Sequence, residues 1–250
     1  MAVALLYFVY LAVLGAARRQ RRPAAFALIT VAAVLVIGMR HIMPLIYLLI
    51  GYWLPALLVR RPNATLEQRL LQFDRTLFGA RGLASFASRA PRPVLEYFEL
   101  SYLLCYAVPL AGFLWLVAAG FGEEADRFWW TVLLASFACY GLLPWLPTRA
   151  PRALEPQDPT PSLIRMLNLR VLDRASVQWN TFPSGHTAAS VATALAVGNS
   201  IPLAGIVLGI IAVSIALGSV IGRYHYTADA ITGALVAVLA FVTATAVHAL

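Results

Sequence analysis

Apolar runs recur along the whole length of this sequence, at residues 2–17, 23–39, 44–59, 96–119, 128–146, 183–197, 202–221 and 226–249. A run of this length either fills the core of a large soluble protein or crosses a bilayer as a helix that satisfies its own backbone groups. Charge decides between the two. Only 12% of the 250 residues are charged and 61% are hydrophobic, with a mean hydropathy of +0.77, whereas a soluble domain carries about 25% charged residues. The expected fold class is therefore all-α, a polytopic membrane helical bundle of eight spans. The first three runs are short for the ~20 residues that cross the hydrocarbon layer, so boundary residues must extend them.

The first run is followed by Arg18-Arg19-Gln20-Arg21-Arg22. A secretory leader carries its charge before the apolar run, so residues 2–17 read as a first span. Residues 1–41 then form two N-terminal spans, and 42–250 the main body. Within that body, residues 60–93 read as an interfacial connector, because Leu66, Leu70, Leu71, Phe73, Leu77 and Phe78 alternate with Glu67, Arg69, Asp74 and Arg75 as on a helix lying along the surface. Residues 147–182 form a second polar loop. Glu96 and Glu99 read as solvated carboxylates at the start of a continuous fourth span, Phe128-Trp129-Trp130 as an interfacial aromatic belt, and Cys105 and Cys139 as packing residues.

Two polar stretches carry the chemistry. Thr181-Phe182-Pro183-Ser184-Gly185-His186-Thr187 stands at the mouth of the sixth run. Pro183 suits a first helical turn, and Ser184 and Gly185 leave backbone N–H groups open to an anion. Arg223-Tyr224-His225-Tyr226-Thr227-Ala228-Asp229 lies one helical hairpin later, on the same membrane face. At i and i+4, the Asp229 carboxylate can accept a hydrogen bond from one His225 nitrogen, which leaves the other a nucleophile toward phosphorus. His186 can protonate a departing oxygen. Ser184, the Gly185 backbone, Arg149, Arg152 and Arg223 are available to bind phosphoryl oxygens. No acidic cluster suggests a metal, and no cofactor is expected. His41 and His248 read as ordinary boundary residues.

There is no lysine, and every arginine except Arg40 and Arg127 falls on the face that bears the two polar stretches. The positive-inside tendency puts that face in the cytoplasm, with both termini outside, in a multi-pass protein of a bacterial plasma membrane. The basic excess suits anionic lipid head groups and not nucleic acid.

Pro183-Ser184-Gly185-His186 resembles the second signature of the type 2 phosphatidic acid phosphatase superfamily, and His225 with Asp229 resembles its third. The resemblance implies a six-helix membrane core over spans three to eight. It makes His225 the phosphohistidine-forming nucleophile, Asp229 its orienting partner, His186 the general acid and then base, and Ser184 and Gly185 phosphate ligands. The implied activity is hydrolysis of a lipid phosphate monoester or diphosphate, on a polyprenyl or glycerolipid tail. The family's first signature pairs a lysine with a downstream Arg-Pro; here Thr148-Arg149-Ala150-Pro151-Arg152 is the nearest stretch. Ser219 holds the position of the third signature's arginine, with Arg223 closer to His225. The stretch from His225 to Asp229 also resembles the superfamily's sphingolipid synthase branch, which implies head-group transfer as an alternative to hydrolysis. A non-catalytic lipid-binding transporter or scaffold is the reading from a different class. With the site in the cytoplasm, a Glu155→Cys variant in intact cells should resist a membrane-impermeant thiol reagent; efficient labelling would reverse the topology.

Overall fold

The computed structural model describes residues 1–38, 43–79, 90–155 and 162–248. Twelve α-helices account for most of them, and no strand occurs among the described residues. The helices are α1 (Ala2–Ala17), α2 (Arg21–Ile37), α3 (Met43–Trp53), α4 (Ala64–Phe78), α5 (Arg92–Leu104), α6 (Val108–Ala118), α7 (Ala125–Leu142), α8 (Pro151–Leu154), α9 (Leu163–Ala175), α10 (Gly185–Gly198), α11 (Pro202–Ile221) and α12 (Thr227–His248). The chain is an all-α bundle with membrane character. On length and composition α11 and α12 can each cross a bilayer, and α5 with α6 make a third candidate as a bent pair.

At the centre stands α10, against which α6, α7, α11 and α12 all pack. Its buried positions are small, among them Ala188, Ser190, Ala192, Thr193 and Ala196. Lipid offers no hydrophobic drive for helices to associate, so close approach of small residues has to supply the attraction. The hydroxyls satisfy themselves within the helix: Ser190 Oγ donates to the His186 carbonyl at 2.9 Å and Thr193 Oγ1 to that of Ala189 at 2.8 Å. Gly112 of α6 faces Thr193, and Gly198 and Gly205 meet across the α10–α11 turn.

The α1–α2 hairpin rests on α7 through Tyr7, whose ring stacks on Phe137 at 4.1 Å. Its hydroxyl reaches the Gly51 carbonyl at 2.7 Å, which ties α1 to α3 as well.

Two expectations are corrected. The fourth run is not one continuous span: α5 and α6 meet at a 66° bend. Pro109 explains it, since its missing N–H leaves the Cys105 carbonyl without a helical partner and its ring crowds that turn. The aromatic triplet is not an interfacial belt, because Phe128 and Trp129 are buried against Phe113. The connector helix is present as α4, capped by Asn63, whose Oδ1 accepts from Leu66 N at 3.0 Å. Glu67, Leu70 and Asp74 form its buried side, while Phe73, Leu77 and Phe78 are exposed. Residues 80–89 of that connector lie outside the described residues.

A methyl group at Gly205 would overlap the backbone of α10, whereas one at Gly209 meets nothing within 4 Å. Gly205→Ala should therefore destabilise the bundle by about 1–3 kcal/mol, and Gly209→Ala should not. Thermal melts of the two variants in one detergent provide the comparison.

Candidate active site

A cavity of about 40 Å³ opens at one end of the bundle, with Tyr52, Arg152, Asn180, His186, Tyr224 and His225 in its wall. One water needs about 10–15 Å³ of such space. The cavity therefore suits a phosphoryl-sized group and leaves any tail outside.

His225 is delivered by the turn between α11 and α12. Arg223 takes the left-handed conformation there, with φ at +62°. That conformation costs a non-glycine residue roughly 1–2 kcal/mol and is held by several contacts. The N–H groups of Tyr224 and His225 both donate to the Ser219 carbonyl, at 2.8 and 3.0 Å. The Arg223 carbonyl accepts from Arg152 N at 3.2 Å, and its guanidinium reaches the Pro151 carbonyl at 3.3 Å and Glu155 at 3.0 Å.

The turn directs His225 Nδ1 toward Asp229 Oδ2 at 3.3 Å, which leaves Nε2 as the free nitrogen. Burial, and secondarily the charge of Arg152, lowers the His225 pKa to about 3. The ring is therefore a neutral imidazole at ordinary pH, the form that can act as a nucleophile. Asp229 is fully buried; its Oδ2 also accepts from Tyr226 N at 3.0 Å and from Asn180 Nδ2 at 2.6 Å.

His186 stands in the first turn of α10, its ring 5.7 Å from that of His225 and inclined at 79°. Tyr52, Tyr102 and Tyr106 surround it at 6.0, 5.9 and 5.3 Å between ring centres. Tyr106 belongs to the bend between α5 and α6, so that break places one wall of the site. The two histidines and Asp229 are thus brought together as the spacing requires.

The phosphate-binding candidates divide. Arg152 lines the cavity, with its guanidinium 5.0 Å above the Tyr224 ring and no carboxylate partner among the described residues. Arg149 points elsewhere, forming a two-pronged pair with Glu67 at 2.8 and 3.1 Å. Arg223 pairs with Glu155. Ser184 and Gly185 are buried beside the cavity and not in its lining. The helix begins at Gly185, with Pro183 outside it and Ser184 as its cap; Ser184 Oγ accepts from Thr187 N at 3.3 Å. The Gly185 N–H donates to Thr181 Oγ1 at 3.2 Å, and the Tyr140 ring occupies the space a side chain would need there.

Sequence reasoning missed several residues that hold the site. Glu99 is not solvated: it is buried and accepts from Arg165 at 2.6 Å, Asn168 at 2.8 Å and the Tyr224 hydroxyl at 2.5 Å. Tyr224 in turn stacks on Tyr102 at 4.0 Å, so a column runs from Glu99 through Tyr224 to Arg152. The carboxylates of α4 grip the loops of the site. Glu67 takes Arg149, Asp74 Oδ1 accepts from Thr227 N at 3.0 Å, and Arg75 pairs with Glu155. The spacing of Glu67, Leu70 and Asp74 put them on one face; nothing in the sequence marked that face as the buried one. Asn180 carried no signal, being a lone amide in a polar loop.

A charge-assisted hydrogen bond contributes about 1.5–3 kcal/mol, so Arg152→Ala should weaken binding of inorganic phosphate about 10- to 100-fold. Arg149→Ala should change it less than about threefold and lower the melting temperature instead, because it unfastens α4. Isothermal titration and thermal melts separate the two effects.

Among the described residues no three His, Cys, Asp or Glu side chains are grouped to hold a metal ion. Neither the curated proteins nor the solved structures yield a match to this chain. A family model described as the PAP2 superfamily matches residues 68–243. That span contains both histidines, Asp229, Asn180 and Arg152 and covers most of the sequence, so the chain belongs to the PAP2 superfamily.

Proposed function

We propose that the protein is an integral membrane phosphatase that hydrolyses a lipid phosphate monoester or diphosphate through a phosphohistidine intermediate. Membership of the superfamily supports phosphatase-type chemistry on phosphate esters. The observation that carries the finer reading is the cavity itself: a neutral His225 backed by Asp229, a second histidine beside it, and the Arg152 guanidinium, all around a space of phosphoryl size.

In this reading the substrate's head group enters the cavity while its polyprenyl or glycerolipid tail stays among the helices. His225 Nε2 forms a bond to phosphorus as the bond from phosphorus to the leaving oxygen breaks, and His186, which takes up a proton as the phosphate anion fills the cavity, gives that proton to the oxygen. Water then attacks the phosphoryl group and passes a proton to His186. The nitrogen–phosphorus bond breaks, and inorganic phosphate leaves. Arg152 neutralises the charge that develops on the phosphoryl oxygens. Asp229 keeps the His225 proton on Nδ1 and stabilises the ring while it carries phosphorus. Ser184 and Gly185 serve as phosphate ligands only if the first turn of α10 opens toward the cavity. The two histidines and Arg152 supply the chemistry without a metal ion, and the site faces the cytoplasm.

A second reading replaces water with a lipid hydroxyl. The likeness of the stretch from His225 to Asp229 to the sphingolipid synthase branch favours it. Product analysis separates the two, since hydrolysis releases inorganic phosphate and transfer yields a new phosphorylated lipid.

Purified protein and its His225→Ala variant, assayed on a panel of polyprenyl and glycerolipid phosphates, test the enzyme itself. Loss of at least about 10³-fold in turnover is expected for removal of a covalent nucleophile. Equal, background turnover by both proteins would leave a lipid-binding transporter or scaffold as the better description.

A further inference from the structure

Asp229 backs His225 from the first turn of α12. Its side chain is fully buried, yet only one of its oxygens is used: Oδ1 has no partner among the described residues. Three donors converge on Oδ2, and the shortest contact, at 2.6 Å, comes from the Asn180 amide and not from the histidine at 3.3 Å. A buried carboxylate that leans on one oxygen turns easily about its last bond unless a donor fixes that oxygen.

Asn180 is well placed to do so because its own position is set elsewhere. It forms an antiparallel bridge with Thr148, its N–H donating to the Thr148 carbonyl at 2.7 Å. The side-chain nitrogen also reaches Thr148 Oγ1 at 3.2 Å, and the residue is 5% exposed. Asn180 thus stands where three parts of the chain meet: the segment that leads into Arg149 and Arg152, the segment that leads into His186, and the His225–Asp229 pair.

We propose that Asn180 is a positioning residue that fixes Asp229 Oδ2 on the His225 Nδ1 proton and so aligns the Nε2 nitrogen with the phosphorus atom. The assignment rests on the phosphohistidine reading above for its catalytic consequence, though not for its structural one. The demand on Asp229 is greatest after Nε2 has bonded to phosphorus, because the ring then bears positive charge and its Nδ1–H needs an ionised acceptor. Without the amide, Oδ2 keeps one backbone donor and the imidazole but loses the shortest of the three contacts that aim it at the ring. The effect falls on the chemical step and not on substrate binding, since Arg152, and not Asp229, faces the phosphoryl oxygens.

The test uses the full-length purified chain with Asn180→Leu, which removes the donor at similar volume, and Asn180→Gln, which restores one on a longer arm. Asn180→Leu should lower kcat about 10- to 100-fold, the range for losing one charge-assisted hydrogen bond, with KM changed less than about threefold. Asn180→Gln should recover several-fold of that loss. Unchanged kcat in Asn180→Leu would overturn the proposal, and so would equal losses in both variants accompanied by equal falls in melting temperature, which mark a merely structural residue. A second measurement needs no turnover. In protein labelled with ¹⁵N-histidine, with the His225 signals identified by their absence in His225→Ala, Asn180→Leu should shift the His225 ring resonances away from the Nδ1–H tautomer. Ring resonances that do not move would overturn it. If wild-type protein processes no phosphate ester, the proposed function fails while the resonance experiment still decides whether Asn180 holds the pair.

Discussion

The buried carboxylate of Asp229 is the constraint on which the site end of the bundle depends. A carboxylate removed from water is tolerated only when hydrogen-bond donors meet it, and here the donors come from separate pieces of chain. Tyr226 N and His225 Nδ1 belong to the turn before α12, and Asn180 Nδ2 to the loop before α10. Satisfying one carboxylate therefore fixes the relative position of two helix starts. The backbone repeats the link, since Ser184 N donates to the Asp229 carbonyl at 2.9 Å. So close an approach is possible because Gly233 of α12 lies directly against the Ser184 backbone, where any side chain would collide.

Charge is distributed around that centre with a division of labour. Arg149 and Arg223 are matched with Glu67 and Glu155 and shape the loops, and Arg152 is left to face the cavity. Arg152 is kept in place by an aromatic surface: it lies over Tyr224, which is stacked on Tyr102 and anchored through its hydroxyl to Glu99. A cation on an aromatic face keeps its hydrogen-bond donors free for a ligand, which a salt bridge would not allow. The Ser219 carbonyl closes the turn that carries His225.

The bundle and the histidine pair were legible in the sequence because both are written in spacing. Apolar runs separated by arginine or proline mark helices, and an interval of four between His225 and Asp229 puts the two on one face. What escaped was whatever depends on which neighbour a side chain meets. Glu99 has the local context of a solvated helix start; only the arrival of Arg165, Asn168 and Tyr224 from distant segments makes it a buried hub. Phe128 and Trp129 sit at the sequence position of a membrane belt but turn inward onto Phe113. For α4 the periodicity was clear, but not which partners its carboxylates would meet: Glu67 takes Arg149 and Asp74 takes the Thr227 N–H, both from distant segments.

The two sides of α4 have a wider consequence. Its inner face holds three separate points of the site, the Arg149 loop, the start of α12 and Glu155, while its outer face presents apolar rings and leucines with no protein cover among the described residues. An apolar helix face at the edge of a membrane bundle settles among the head groups and upper acyl chains. Whatever touches that outer face bears on the loops around the cavity as well, because one short helix carries both sides.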